Sequence, residues 1–267
     1  MKPFLKFRQK LWILRRQVKG KFFGFLFHFI DNSMKRKNYI LTIKGIKSKF
    51  YLPYIKTDLI QQRIYWEKNY FEKKELQVVC KDYNNGEIDK IIKNSVVLDI
   101  GTNIGNHTLY FLNECGAKKV YCFEPVKDTF EILKYNIKLN NLESFVVLMN
   151  VGVGRKSGKA HIGSYTQMNT GMTTLDLADD GEIKIISIDE LDISEKVGLV
   201  KIDVEGFELD VIKGMIQTVQ RHKPYIMIEI QNTNFDQTNK ILQGQGYQYI
   251  ILDEQFNYKN YLYFQRT

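Results

Sequence analysis

The sequence predicts an α/β protein with a mostly parallel sheet covered by helices on both faces. Two observations lead to this prediction. From residue 95 onward, short apolar stretches alternate with segments of helical periodicity, which is the pattern of βαβ crossovers. The last two apolar stretches follow each other without a helix between them, which indicates an antiparallel hairpin closing the sheet. A length of 267 residues suits one large domain of this class with an extension.

The segment before residue 95 predicts a hairpin followed by a helix. Two strand-like stretches flank a Lys44-Gly45 turn, and Thr57-Asp58 can cap a helical stretch that Asn84-Asn85-Gly86 interrupts. The predicted elements are strands over residues 39–43 and 46–52 and a helix over much of 59–79. We call residues 38–94 the lead-in.

The following part of the chain predicts the strands and helices of the sheet domain, residues 95–267. The strands are expected over residues 96–100, 120–123, 145–149, 199–204 and 225–230, with the closing hairpin over 247–252 and 261–265. The helices are expected at about 104–115, around Phe130 to Ile137, and over 207–219 and 235–242. The stretch between the third and fourth strands is long and polar, and no strand or helix is predicted in it.

Charge is concentrated in the first 37 residues. The chain carries +9, from 39 Lys and Arg against 30 Asp and Glu. Residues 1–37, the arm, hold eleven of the basic residues and one acid, a charge of +10, which leaves −1 for the rest. A near-neutral body with a basic arm differs from a basic nucleic-acid-binding domain, so we expect no nucleic acid partner.

The arm also has helical periodicity. One face of the predicted helix collects Phe4, Phe7, Leu11, Leu14 and Val18, and basic residues lie off that stripe. A basic amphipathic helix can lie in an anionic membrane surface. The alternative is that the stripe packs on the protein's own body or on a second subunit, as in a homo-oligomer. No apolar stretch is long enough to span a bilayer, and no secretory signal is evident.

The three cysteines form no Cys-x-x-Cys pair, which argues against a disulfide scaffold and a zinc finger. Reduced cytosolic thiols are the simpler interpretation. The expected location is therefore cytoplasmic, with the arm as a peripheral contact at the inner face of the cell membrane.

A Gly-rich turn after the first strand of the domain points to a ligand. Asp99 ends the strand, and Gly101 and Gly105 would let the backbone approach a bound molecule closely. A pyrophosphate would be repelled by Asp99, but an ammonium would be attracted. Glu124, at the end of the second strand, is placed to accept hydrogen bonds from ribose hydroxyls. A ligand with an amino-acid end, a ribose and no phosphate is S-adenosylmethionine.

Three motifs carry a resemblance to a known family: Leu98–Thr108 (LDIGTNIGNHT), Tyr121–Pro125 (YCFEP) and Lys201–Glu208 (KIDVEGFE). Residues 95–230 resemble the FkbM-type family of S-adenosylmethionine-dependent methyltransferases. The resemblance implies the class I Rossmann-like sheet of seven strands, parallel except for an antiparallel C-terminal strand. It also implies that Asp99, Gly101, Asn103 and Gly105 line the methionine end of the cofactor, Glu124 the ribose and Asn150 the adenine. Asn106 and His107 are either further cofactor contacts or ordinary first-turn helix residues.

Candidate catalytic residues lie at the ends of the fourth and fifth domain strands. Asp203 and Glu205 would share a face of a continuing strand, and Glu229 lies in an apolar strand end where burial would raise its pKa. One of these carboxylates would be the base that activates a hydroxyl. A divalent cation held by the three, or plain structural ion pairs, are the alternatives; we favour no metal. His107, His161 and His222 are further base candidates.

The acceptor is less constrained. No Asp/Asn-Pro-Pro-aromatic turn exists, which disfavours methylation of base amino groups. Asn169 and Thr170 form part of a candidate substrate loop, and Arg155 could meet a phosphate. The resemblance implies O-methylation of a saccharide or glycoconjugate precursor. N-methylation of a small, phosphorylated amine, a nicotinamide-dependent oxidoreductase and an inactive membrane or partner adaptor with this fold are the alternatives.

Overall fold

The computed structural model describes residues 40–164 and 173–265. The arm, with its predicted amphipathic helix, and the candidate substrate residues Asn169 and Thr170 lie outside the described residues. In the part of the chain that the structure describes, no helix is long and apolar enough to cross a membrane.

The lead-in forms a hairpin and a group of short helices. Strands β1 and β2 pair antiparallel as predicted. The elements are β1 Ile40–Thr42, β2 Lys49–Tyr51, α1 Leu59–Glu67, α2 Lys73–Gln77 and α3 Glu87–Ile92, with a π-helical turn over Val78–Asp82.

The predicted single helix over 59–79 is wrong. Asp58 caps the start of helix α1, where its side chain accepts the Gln61 N–H. The helix stops before Lys68, which adopts a left-handed conformation (φ 53°). The turn brings Tyr70 into the interior, where its hydroxyl bonds Ser48 Oγ at 2.6 Å and Glu114 Oε1 at 3.0 Å. Tertiary packing therefore overrides the local helical periodicity.

The sheet domain is built around seven strands within the described residues. In the order in which they lie side by side, the strands are β12 Tyr247–Glu254, β13 Tyr258–Gln265, β11 Tyr225–Gln231, β10 Val197–Ile202, β3 Val96–Ile100, β4 Lys119–Phe123 and β5 Val146–Met149. The pairs from β5 to β11 are parallel, and β13 is antiparallel to both β11 and β12. The predicted α/β class with a mostly parallel sheet is confirmed.

Helices cover both faces of this sheet. They are α4 Asn106–Asn113, α5 Lys127–Leu139, α6 Glu208–Lys213, α7 Ile216–His222 and α8 Phe235–Gly244. On one face, α4 and α5 share a single apolar core with the lead-in, in which Ile64 and Leu76 lie with Val97 and Leu109. On the other face, α6, α7 and α8 bury a second core that includes Val211, Val219 and Leu242. The lead-in is thus packed as one layer of the domain.

The predicted helix over 207–219 is interrupted. The break falls at Gly214, which approaches the backbone of Gly154 so closely that a Cβ atom would come within 2.0 Å of its carbonyl oxygen. The chain therefore turns there, and α7 starts anew at Ile216.

The long polar stretch after β5 forms a second sheet that was not predicted. Its four strands are β6 Gly152–Val153, β7 Gly158–Ser164, β8 Thr174–Leu177 and β9 Ile183–Ile186. Its core is small, with Ala160, Ile183 and Ile185 buried. Because most of β7 is exposed and polar, the stretch lacks the apolar alternation by which a strand is recognised.

Candidate active site

The loop that joins β3 to α4 is held against the neighbouring strand β10. Gly101 has φ +75°, and a Cβ atom on it would lie 1.8 Å from the backbone oxygen of Asp203. From its place in the sequence, Gly101 is predicted to let a ligand approach the backbone. In the structure the glycine is required because the protein's own backbone approaches it.

Asp99 is buried beneath this loop and is neutralised by the protein. Its Oδ2 accepts a hydrogen bond from Thr108 Oγ1 at 2.6 Å, and its Oδ1 lies 3.5 Å from Nζ of Lys201. Asp99 has no exposed surface. The expectation that its carboxylate attracts an ammonium group of the ligand is therefore not met by this geometry.

Lys201, a buried cation on β10, has no predicted role from the sequence. Its Nζ donates to the carbonyl of Gly101 at 2.8 Å and lies 3.3 Å from Oδ2 of Asp203, in addition to Asp99. Burial lowers the pKa of Lys201, but the charges of Asp203, Asp99 and Glu72 outweigh it and raise the pKa overall. The signal in the sequence was a lysine inside an otherwise apolar strand.

Glu124 stands at the carboxyl end of β4 with both oxygens oriented by the backbone. Oε2 accepts from the N–H of Asn103, and Oε1 accepts from the N–H of Val126, both at 2.9 Å. Burial raises the pKa of Glu124 to about 7, against the two backbone hydrogen bonds, which lower it. A carboxylate has about four acceptor positions, so two remain for a ligand.

The polar residues of the loop and first helical turn are committed largely to the protein. Asn103 has a left-handed backbone (φ 52°), and its side-chain oxygen accepts from the N–H of Ile104. Both ends of the Asn106 amide bond the backbone of Phe71. His107 places Nε2 3.3 Å from Oε2 of Glu72.

The three candidate catalytic carboxylates lie together at the ends of β10 and β11. Lys201 and Met227 are register partners, so Asp203 and Glu229, each two residues further along, lie at the same level of adjacent strands. Burial, the charge of Asp203 and that of Glu205 hold the pKa of Glu229 well above its usual range. Like charges crowded at one edge favour protonated carboxyl groups.

Within this group, Glu205 is the carboxyl that combines access with a pKa near neutrality. Burial and then the charge of Asp203 raise the pKa of Glu205 to about 7, and a hydrogen bond from Gln231 at 3.2 Å opposes that rise. Asp203 is one-third exposed and is paired with Lys201. Among the residues of the described ranges, no group of three or more His, Cys, Asp or Glu side chains is arranged to hold a metal ion.

These residues surround one cleft at the carboxyl edge of the sheet. Its wall contains Lys201 and seven residues predicted from the sequence: Gly101, Asn103, Asn106, His107, Glu124, Asp203 and Glu205. Its apolar wall includes Ile104, Phe123, Val126, Val151 and Val153, and the lead-in adds Ile60 and Phe71.

Other predicted site residues do not line the cleft. Asp99 lies beneath the loop, and Gly105, at the end of the loop, faces Leu133 of α5. Glu229 lies beside Asp203 and Glu205, and Arg155 is exposed elsewhere. Asn150 is exposed, and its amide donates to the carbonyls of Glu124 at 2.8 Å and Pro125 at 3.0 Å, so it braces the turn that carries Glu124.

Two of the histidine base candidates are also away from the cleft. His222 accepts the N–H of Val197 at the amino end of β10, opposite the cleft. His161 is exposed on β7 between Glu182 and Asp180. Only His107 of the three lines the cleft within the described residues.

The fold and the cleft define the class of protein. The strand order, the antiparallel β13 and a cleft at the carboxyl ends of β3, β4 and β10 are those of class I methyltransferases. The family model for the methyltransferase FkbM domain matches residues 99–249, which is more than half of the chain. The chain therefore belongs to the FkbM methyltransferase family, as the three motifs predicted.

Individual relatives are similar over part of their length. The hexuronic acid methyltransferase AglP of Haloferax volcanii is 32% identical over 147 residues, which cover 54% of this chain and 59% of the relative. Methyltransferase 1 of Beauveria bassiana is 30% identical over 148 residues, covering 45% and 58%. The chain thus spans less than two thirds of these curated relatives. The crystal structure of methyltransferase FkbM from Methylobacillus flagellatus KT has a TM-score of 0.48 and 22% identity, covering 64% of this chain and 44% of that one.

Proposed function

We propose that this protein uses S-adenosylmethionine to methylate a hydroxyl group of a saccharide or glycoconjugate precursor. The observation that carries the proposal is Glu124, a carboxylate oriented by two backbone N–H groups at the end of β4 and facing an apolar cleft. Such a group suits the two hydroxyls of a ribose, each of which can donate one hydrogen bond.

The remaining cleft surface fits the rest of that cofactor. Val126, Val151 and Val153 form an apolar wall near Glu124 that suits an adenine ring, and the backbone of residues 101–103 borders the opposite part. When bound, S-adenosylmethionine supplies a methyl group on a positively charged sulfur. The carboxylates of Asp203 and Glu205 provide a negative edge that is compatible with a cationic ligand.

Glu205 is the residue that we assign as the general base. A base works best when its pKa lies near the working pH, and that of Glu205 is about 7. Asp203 is the poorer candidate because its carboxylate already pairs with Lys201 at 3.3 Å. Asp203 instead keeps the pKa of Glu205 high through its charge.

A saccharide hydroxyl is favoured over a phosphorylated amine. The similarity to a hexuronic acid methyltransferase supports an acceptor of the sugar class. Among the described residues of the cleft wall, Lys201 is the one Lys or Arg, and its ammonium already contacts Gly101, Asp99 and Asp203. A phosphate would therefore have no free counter-ion on this part of the wall.

The test is transfer of a labelled methyl group from S-adenosylmethionine to nucleotide sugars and cell-envelope extracts. We expect wild-type protein to label a saccharide, and Glu205→Gln to lose the reaction while still binding S-adenosylhomocysteine. Activity that persists in EDTA would exclude the divalent-cation alternative. Labelling confined to amines, or none with any acceptor despite cofactor binding, would contradict the proposal.

For the arm we propose contact with an anionic membrane surface. The support is its charge of +10 together with the apolar stripe of the predicted helix. Liposome flotation would compare the full chain with a chain lacking residues 1–37, on anionic and on neutral vesicles. Flotation is expected only for the full chain on anionic vesicles, and equal behaviour of the two chains would contradict it.

A further inference from the structure

A segment of the lead-in, residues 69–72, is fastened to the helix that follows the Gly-rich loop. The side-chain oxygen of Asn106 accepts the backbone N–H of Phe71 at 2.9 Å, and its amide nitrogen donates to the carbonyl of Phe71 at 3.0 Å. Asn106 is 5% exposed. One side chain thus satisfies both backbone groups of a residue that lies 35 positions earlier in the chain.

A second contact ties the next residue to the same helical turn. Glu72 lies 3.3 Å from His107, and the two side chains are 17% and 6% exposed. Burial raises the pKa of Glu72, but the contact with His107, followed by the charge of Lys201, outweighs burial and lowers the pKa. Glu72 is therefore anionic at neutral pH, and its contact with His107 attaches it to α4.

The backbone around this segment is in an unfavourable conformation. Lys68, the residue before the segment, has a φ value of 53°, and Glu72, its last residue, has a φ value of 55°. Left-handed conformations of such residues cost free energy and persist where the surroundings enforce them. The hydrogen bonds between Asn106 and Phe71 and the contact between His107 and Glu72 hold the segment in this conformation.

The segment held in this way forms part of the cleft wall. Phe71 lines the cleft next to Asn106 and His107, and the guanidinium of Arg63 lies 4.4 Å from the centre of the Phe71 ring. Phe71 and Glu72 both precede residues 99–249, the part matched by the family model. The lead-in therefore completes a cleft that the matched part leaves open on this side.

We propose that segment 69–72 is a cofactor-retaining wall of the cleft, and that Asn106 and His107 are positioning residues that hold Phe71 in it. This inference rests on the proposed function, because the molecule retained is S-adenosylmethionine. It gives Asn106 an indirect role, in place of the direct cofactor contact expected from the sequence. Phe71 excludes water from the end of the cleft formed by the loop after β3.

The experiment measures two quantities for each variant. Hydrogen exchange followed by mass spectrometry reports the protection of residues 69–77 in the ligand-free protein. Calorimetric titration reports the affinity for S-adenosylhomocysteine. The variants are Asn106→Ala, Phe71→Ala, the volume-conserving Phe71→Leu and the double variant Asn106→Ala with Phe71→Ala.

A matched control is available at the end of the neighbouring helix. Asn140, the residue after α5, accepts the backbone N–H of Lys49 at 2.8 Å, donates to the Lys49 carbonyl at 2.8 Å and does not line the cleft. Asn140→Ala removes the same two-sided kind of contact between the lead-in and the sheet domain, so it reports any general loosening of the lead-in. We expect it to leave the exchange of residues 69–77 and the affinity unchanged.

Asn106→Ala is expected to accelerate exchange in residues 69–77 and to weaken binding about tenfold or more, since the wall is no longer held. Phe71→Ala should weaken binding similarly, and Phe71→Leu should restore most of it. If Asn106 acts through Phe71, the affinity of the double variant for S-adenosylhomocysteine should be no lower than that of the single variant with the lower affinity. Additive losses would mean that Asn106 contacts the cofactor directly and would overturn the inference.

Two further outcomes separate this inference from the proposed function. Unchanged exchange and unchanged affinity in Asn106→Ala would overturn the inference but leave the methyltransferase proposal intact. Failure of the wild-type protein to bind S-adenosylhomocysteine would overturn the cofactor assignment, whatever the exchange of residues 69–77 shows.

Discussion

Nζ of Lys201 lies 3.5 Å from Oδ1 of Asp99, and the two residues are register partners on the neighbouring parallel strands β10 and β3. Both side chains are almost completely buried, at 4% and 0% exposure. The ammonium also reaches Gly101 and Asp203. One cation thus joins the strand end, the Gly-rich loop and the rim carboxylate of the cleft.

Replacing Lys201 by methionine is expected to destabilise the fold strongly. The substitution keeps an unbranched side chain of similar length but leaves the buried carboxylate of Asp99 without a counter-ion. Breaking a buried ion pair in this way costs about 3–5 kcal/mol. Urea denaturation at neutral pH gives the free energy of unfolding of each variant.

Lys119→Met is the matched control. Lys119 pairs with Glu195 at 2.8 Å, but both side chains are about 30% exposed, so the loss of stability is expected to be small. Equal losses for the two lysine variants would contradict the role assigned to Lys201.

Gly101→Ala is expected to be far more damaging than Gly45→Ala. Both glycines have positive φ values, +75° and +85°, so both substitutions incur a similar backbone cost. At Gly101 the new Cβ atom would lie 1.8 Å from the backbone oxygen of Asp203. At Gly45 the new Cβ atom would have no other atom within 4 Å among the described residues. The difference between the two free energies of unfolding should be at least ~2 kcal/mol, the scale of overpacking. No difference would show that the loop does not rest on β10.

The pH dependence of methyl transfer should report Glu205. The reaction is expected to speed up as Glu205 loses its proton, with a midpoint near its pKa of about 7. Asp203→Asn removes a negative neighbour that raises this pKa, so the midpoint should move to lower pH. Glu205→Gln should lower kcat by ~10²–10⁴-fold. A midpoint that is unchanged or higher in Asp203→Asn would exclude Glu205 as the base.

Glu124 should make the fold less stable as the pH rises from about 4.5 to 7. Burial raises its pKa from 4.5 to about 7, so the folded state binds the proton more tightly than the unfolded state does. Its contribution is fully present below pH 4.5 and is lost as the pH rises through about 7. The free energy of unfolding of the wild type relative to Glu124→Gln should fall by about 3 kcal/mol across this interval.

The control for this measurement is Glu190→Gln. Hydrogen bonds from Ser157 lower the pKa of Glu190, so its contribution is present above pH 4.5 and is lost only as the pH falls below that value. The difference between wild type and Glu190→Gln should therefore be flat where that of Glu124→Gln changes. Parallel curves for the two glutamate variants would contradict the burial of the Glu124 carboxyl.

The sheet domain could be predicted from the sequence because its strands and helices have strong local signals. Buried strands such as β3 are apolar throughout and are bounded by turn residues. The four-stranded sheet could not be predicted from the sequence, because β7 carries polar residues on a mostly exposed surface. The break after α1 was missed for another reason: it serves the packing of Tyr70 against Ser48 and Glu114, which lie far away in the sequence.

The site was predictable in its residue types more than in their roles. Glu124, Asp203 and Glu205 were found because acids at strand ends meet at one edge of a parallel sheet. The roles of Asp99 and Asn106 depend on their partners Lys201 and Phe71, which only the folded chain brings close. A lysine within an apolar strand was the one sequence signal of the first partnership.

The most direct measurement is a crystal structure of the protein with S-adenosylhomocysteine. We predict the ribose hydroxyls within hydrogen-bond distance of the Glu124 carboxylate, with the adenine against Val126 and Val151. The sulfur should lie on the side of Asp203 and Glu205. A ligand bound elsewhere, or a cleft that stays closed by its own side chains at saturating ligand, would contradict the account.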